Sequence, residues 1–184
     1  MIPIWTPGKT ASSGSIVGRE RAGVSGRPAS IPDMASWDNV RRLALALPET
    51  DEHGSYGDTL AWRVKQKAFV WERPLRPADR EALGDSAPDG PVLGAWVADL
   101  GVKEELLVDS PDVYFTSPHF DGYRAVLVRL DQISVDELEE LVLEAWLARA
   151  PKRIAKSYLD GLARGERPAR ESRAAVARSR RSRP

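Results

Sequence analysis

Val113–Leu130, VYFTSPHFDGYRAVLVRL, reads as an extended run, a dense polar turn and a second extended run. Asp121-Gly122 supplies turn chemistry, because aspartate tolerates tight local geometry and glycine reaches the left-handed region without steric cost. In the second run Val126, Val128 and Leu130 alternate onto one face, the period-2 signature of a strand with one side against a core. The stretch predicts a hairpin or tight loop closing a sheet.

At 184 residues the chain has room for one domain with a buried core plus tails. It has no cysteine, which excludes a disulfide framework and Cys-based zinc sites and fits a reducing cytoplasm. No apolar run approaches the roughly 20 residues needed to cross a bilayer, and no secretory h-region opens the chain, so a soluble cytoplasmic protein with no membrane partner is expected.

The 27 basic and 27 acidic residues balance, but unevenly along the chain. Residues 1–33 hold four basic against two acidic side chains, and residues 165–184 seven arginines against Glu166 and Glu171. Subtracting +2 and +5 from a neutral total leaves residues 34–164 at −7. An acidic body argues against a broad grip on phosphates, which the Arg-rich tail can supply instead.

Residues 1–33 are rich in Gly, Ser, Pro and Ala without a sustained period, which predicts a disordered N-terminal segment, and Met34 offers a second candidate start. Ser36 can cap a helix with Trp37, Val40, Ala44 and Leu47 on one stripe, ended by Pro48. An acidic loop containing His53 and Tyr56 follows. Leu60, Trp62 and Val64 then alternate with polar or small residues, and a short link at Lys65-Gln66-Lys67 leads to a second strand running to Arg73. Residues 74–90 form a Pro-rich excursion with one or two helical turns at Ala78–Leu83. A strand at Val92–Ala98 and a short helix at Gly101–Asp109 precede the central stretch.

Ser134 and Glu137 have capping-box spacing ahead of the inward stripe Val135, Leu138, Val142 and Ala145. Asp136, Glu139, Glu140 and Glu144 line the other side, the pattern of a solvated helix face. Pro151 suits the first turn of a last helix with Ile154, Tyr158 and Leu162 inward and Lys152, Arg153 and Lys156 outward. Beyond Gly165 the composition predicts a disordered basic tail.

Catalytic chemistry is hard to place. No Gly-x-Ser-x-Gly or His-Glu-x-x-His spacing occurs, and Gly8-Lys9-Thr10 lacks the upstream glycine of a phosphate-binding loop. His119 and Asp121, with Tyr123 and Tyr56, form the best ligand-or-turn constellation. His53 beside Asp51 and Glu52 would have to meet His119 before a metal could be held. No catalytic residue, metal or cofactor is assigned. Phe115, Phe120, Tyr123 and Tyr56 suit either base stacking or rim packing.

The ordered set Leu47-Pro48-Glu49, Ser55-Tyr56-Gly57, Lys67-Ala68-Phe69, Phe115–Tyr123, Val126–Leu130 and Ala150-Pro151-Lys152-Arg153 resembles the MmcQ/YjbR family of small bacterial proteins. The resemblance covers about residues 36–158, and Gln66 stands where the family usually has Gly. It implies an α+β fold: an antiparallel sheet backed by N- and C-terminal helices, similar to frataxin-like architectures and to a double-wing DNA-binding domain. The family is often labelled DNA-binding on that likeness.

The expected organisation is therefore a disordered segment 1–33, a domain 34–164 and a tail 165–184. The expected function is non-enzymatic DNA binding, with weak, salt-sensitive phosphate contacts from Arg63, Lys65, Lys67, Lys152, Arg153 and Lys156. The alternatives are a protein-interaction or small-ligand module using the His119 turn and, third, metal handling.

Overall fold

The structure, a computed structural model, describes residues 33–54 and 58–165. The expected N-terminal segment up to residue 32, the tail from residue 166 and Ser55–Gly57, including Tyr56, lie outside the described residues.

Helix α1 (Trp37–Leu45) starts at a capping box. The Asn39 amide donates to Ser36 Oγ while Asn39 Oδ1 accepts from the Ser36 amide, which satisfies two donors that a helix end otherwise leaves unpaired. Strands β1 (Thr50–Gly54), β2 (Leu60–Val64) and β3 (Lys67–Glu72) follow, then α2 (Pro77–Leu83), β4 (Val92–Trp96), α3 (Leu100–Asp109), β5 (Tyr114–Phe115) and β6 (Ala125–Arg129). Helix α4 (Val135–Arg149) begins at the expected Ser134–Glu137 capping box, and α5 (Lys152–Ala163) completes the domain. The strands form one six-stranded sheet in the order β1-β2-β3-β4-β6-β5, with every pairing antiparallel. The α+β fold with helix-backed antiparallel sheet expected from the sequence is the fold observed.

Alternation divides the sheet's side chains between two cores. On the first face Trp62, Val70, Leu93, Ala95, Val126 and Val128 pack with Val40, Ala44, Leu138, Val142 and Trp146 of α1 and α4. On the second face Val92, Phe115, Phe120, Ala125 and Leu127 form a smaller cluster, edged by Trp71, Leu75 and Leu83. Register shifts between β2 and β3 at Trp62/Arg63, so Phe69 and Val70, consecutive in sequence, both enter the first core.

Two expectations are corrected. The segment read as an acidic loop is the edge strand β1, whose residues Thr50–Gly54 pair with Leu60–Val64. Its polar sequence TDEHG has no strand period; it is held by the ladder and by cross-strand contacts such as Trp62 Nε1 donating to Glu52 at 3.1 Å. Leu162, expected to face inward, is exposed, because α5 covers the core only through Ile154, Ala155 and Tyr158.

The β2–β3 turn is a two-residue loop in which Lys65 (φ 48°) and Gln66 (φ 67°) both occupy the left-handed region, the geometry that matches strand twist but strains a residue with a Cβ. Gln66→Gly is expected to stabilise the protein by about 0.5–1 kcal/mol, read as a higher urea midpoint with an unchanged slope.

A buried polar lock fastens α2 to the turn after β5. Arg73 Nη2 donates to Asp79 Oδ2 at 2.7 Å, the Arg76 amide donates to the same oxygen at 3.0 Å, and Ser117 Oγ donates to Oδ1 at 3.0 Å. Arg73, Asp79 and Ser117 are all buried. Burial alone would raise the Asp79 pKa, but the Arg76 amide, the Arg73 guanidinium and the Ser117 hydroxyl outweigh it and hold the carboxyl below its ordinary 3.8. The lock is therefore fully formed above that value and is lost as pH falls through the lower folded-state pKa. Asp79→Ala is expected to cost about 3 kcal/mol by leaving Arg73 buried and unpaired. Asp79→Asn should flatten the acid limb of a stability-versus-pH curve measured by denaturant titration below pH ~4.

Candidate nucleic-acid interface

Antiparallel pairing brings the end of β2, the start of β3, the end of β4 and the start of β6 to one end of the sheet. The α4–α5 junction meets them there. Arg149, the last residue of α4, donates from Nε to the Ala68 carbonyl at 3.2 Å and stacks its guanidinium 4.3 Å over the Trp96 ring. Burial lowers the Arg149 pKa, and the like charge of Arg124 lowers it further. Arg124 donates to the Ala98 carbonyl at 3.0 Å. No carboxylate pairs with either arginine among the described residues.

The six basic residues expected to contact nucleic acid are not equally free. Arg63, cross-strand from Ala68, is ion-paired with Asp51 on β1, and its Nε is buried without a hydrogen-bond partner. Lys65 pairs with Glu49 at 2.7 Å. The hydrogen bond from Lys65, then its charge, hold the Glu49 pKa low, with a smaller contribution from Arg153. Lys67, Lys152 and Arg153 are exposed and form no salt bridge among the described residues. Lys156 pairs with Asp160 one turn along α5 at 2.7 Å.

Beside Arg149, on the second face of the sheet, lies an aromatic cleft of about 270 Å³. Trp71 and Trp96 form its floor with Ala68 and Ala125, and the turn after β5 supplies His119, Phe120 and Tyr123. Trp71 lies 6.4 Å from Trp96 and 6.2 Å from Phe120 between ring centroids. His119 meets Phe120 edge-on at 4.9 Å and lies nearly parallel to Tyr123 at 6.3 Å. Two buried cations hold this turn. Lys103 donates to the Phe120 carbonyl at 2.7 Å and to the Tyr123 carbonyl at 3.3 Å, and Arg73 lies 5.4 Å from the Phe120 centroid. Burial lowers the Lys103 pKa, and the Asp121 carboxylate partly offsets this.

Of the ligand-or-turn constellation, His119 and Tyr123 therefore share a cleft, while Asp121 is exposed on the loop beside Lys103. His53 lies on edge strand β1, and among the described residues no three His, Cys, Asp or Glu side chains gather as a metal site. Trp71, Trp96, Arg124 and Arg149 are members of the site that the sequence reading missed. For Trp71 and Trp96 the sequence signal is the phase of strands β3 and β4, which sets them on the face opposite Val70 and Ala95.

The other end of the sheet carries several aspartates, one of them, Asp89, paired with Arg80 at 3.6 Å. Asp85, Asp89, Asp112 and Asp131 border an open depression there, with Arg129 the one basic residue lining it. No helix among the described residues is long and apolar enough to cross a membrane.

Comparison with known proteins agrees with the fold. A solved structure from Deinococcus radiodurans, a protein with a DUF419 domain, superposes with a TM-score of 0.51 at 22% identity, covering 76% of this chain and 96% of its own. At that identity the likeness speaks for fold alone. Uncharacterised proteins of Mycobacterium bovis and Mycobacterium tuberculosis are 52% identical over 129 residues, covering 68% of this chain and 97% of theirs. A family model described as YjbR matches residues 45–148, the span from the end of α1 to the end of α4 that builds the sheet and the cleft. The chain belongs to the YjbR family.

Proposed function

We propose that this is a non-enzymatic DNA-binding protein that meets the phosphate backbone with the basic end of its sheet. The observation that supports this reading is the separation of charge within an acidic domain. The aspartates around Asp85 and Asp131 stand at one end, whereas Lys67, Arg124, Arg149, Lys152 and Arg153 gather at the other without carboxylate partners among the described residues. Such a dipolar field attracts a polyanion to one end although the net charge of the body is negative. The Arg-rich tail adds attraction without geometry. Contacts of this kind position a protein on phosphates and read little sequence, so the binding is weak and salt-sensitive.

Anisotropy of a labelled DNA duplex across a salt series tests this on three chains: full length, residues 34–164, and the full chain with Lys67→Gln and Arg153→Gln together. The trimmed body is expected to retain a salt slope equivalent to several phosphates. The double substitution should reduce the slope by about 1.8, or about 0.9 per lost contact. Binding that vanishes with the tail, or a slope unmoved by the double substitution, would remove the folded body from the interaction.

A further inference from the structure

We propose that the aromatic cleft receives one unpaired nucleobase of a bound strand, stacked against Trp71, Trp96 and Tyr123, with the adjoining phosphate held by Arg124 and Arg149. This rests on the phosphate-binding reading above and extends it from duplex DNA to strands with a free base.

The lining decides the ligand's ring character. Two of the protein's six tryptophans, of which Trp71 also edges the second core, a tyrosine 56% exposed and an exposed histidine converge on one small depression. At about 270 Å³ the cleft falls just below the usual size of drug-like pockets, about 300–1,000 Å³, and suits a single planar ring system. Its walls offer π-faces and few polar groups, chiefly the His119 imidazole and the Tyr123 hydroxyl. A base would therefore be held by stacking, which every base can do, and not by its hydrogen-bonding edge.

Charge decides what the ring is attached to. Arg149 already occupies one face of Trp96, so a cationic ligand in the aromatic cage would meet a guanidinium at the rim, with Arg124 near it. An anionic group beside the ring meets two arginines without carboxylate partners. Asp121, the one acid within the turn, lies close enough to Lys103 for its charge to act on that ammonium.

The site is also built before a ligand arrives. Lys103 fixes two carbonyls of the turn, and the Arg73–Asp79–Ser117 lock fixes its start, so little ordering remains to be done on binding.

The test uses the full chain and two labelled oligonucleotides with the same number of phosphates, oligothymidylate and its abasic counterpart, compared by anisotropy at fixed salt. Wild type is expected to bind oligothymidylate roughly tenfold or more tightly than the abasic strand, the effect of one stacked base. Tyr123→Ala, at an exposed position, should shrink that preference while leaving abasic binding and the salt slope unchanged, whereas Trp96→Phe, which also removes the indole under Arg149, should shrink the preference and weaken abasic binding together. Equal affinity for the two strands in wild type overturns the base site and leaves the phosphate reading standing. Failure of both strands to bind overturns both.

Discussion

Strand β6 is buried on both faces, and the architecture follows from covering it twice. Val126 and Val128 point to one side, Ala125 and Leu127 to the other, and all four are almost wholly excluded from water. Apolar burial of this kind is the main favourable contribution to folding, so each face requires its own layer. Helices α1 and α4 provide the first. The second is assembled from the Pro-rich excursion and the turn after β5, and it is small: its members reach Trp71 on β3 and go no further. The cleft lies where this second layer stops. It is the unfinished margin of a core, which explains why its walls are aromatic and why they are only half-buried.

Gly94 shows how closely that margin is fitted. It stands cross-strand from Trp71, and a Cβ at this position would lie 2.3 Å from the indole ring. A glycine in the middle of a buried strand sacrifices packing and chain entropy. Here the loss is offset by the close approach of a large ring that lies over the strand and forms the cleft floor. A side chain at residue 94 would have to displace Trp71, and with it the contacts to Trp96 and Phe120. The glycine therefore belongs to the site although it touches no ligand.

Much of this was legible in the sequence, for reasons that differ by element. Helices α1 and α4 declare themselves through local chemistry, a capping serine and an apolar stripe, and both appear as expected. Strands β2 and β6 declare themselves through alternation. β1 does not, since an edge strand of Thr, Asp, Glu, His and Gly is specified by its partner's ladder and not by its own pattern. The bulge that sends Phe69 and Val70 to the same core breaks the period that sequence reading relies on. Arg124 and Arg149 are harder still. Each is a single arginine at an element boundary, 25 residues apart, and only the register that sets Trp96 opposite Ala125, together with the reach of α4 to Ala68, brings them together. Leu162 fails in the opposite direction: the stripe is real, but the helix outruns the surface it packs on.

The ion pairs at the basic end set the strength of what that end can do. Lys65 and Glu49 are both about half exposed, and exposed pairs contribute little and weaken further with salt. A phosphate can therefore displace Glu49 from Lys65, but it must compete with a carboxylate whose lowered pKa keeps it ionised well below neutral pH. A phosphate reaching Arg63 must likewise compete with Asp51, its ion-pair partner across the strand pair. At this end Lys67, Arg124, Arg149, Lys152 and Arg153, which have no carboxylate ion pair among the described residues, engage a phosphate without that competition. A surface arranged this way gains more from a ligand that adds stacking to its charge than from charge alone. Under the proposed base site, discrimination between nucleic-acid forms depends on whether a base is free to leave its stack, a property of strand structure more than of sequence.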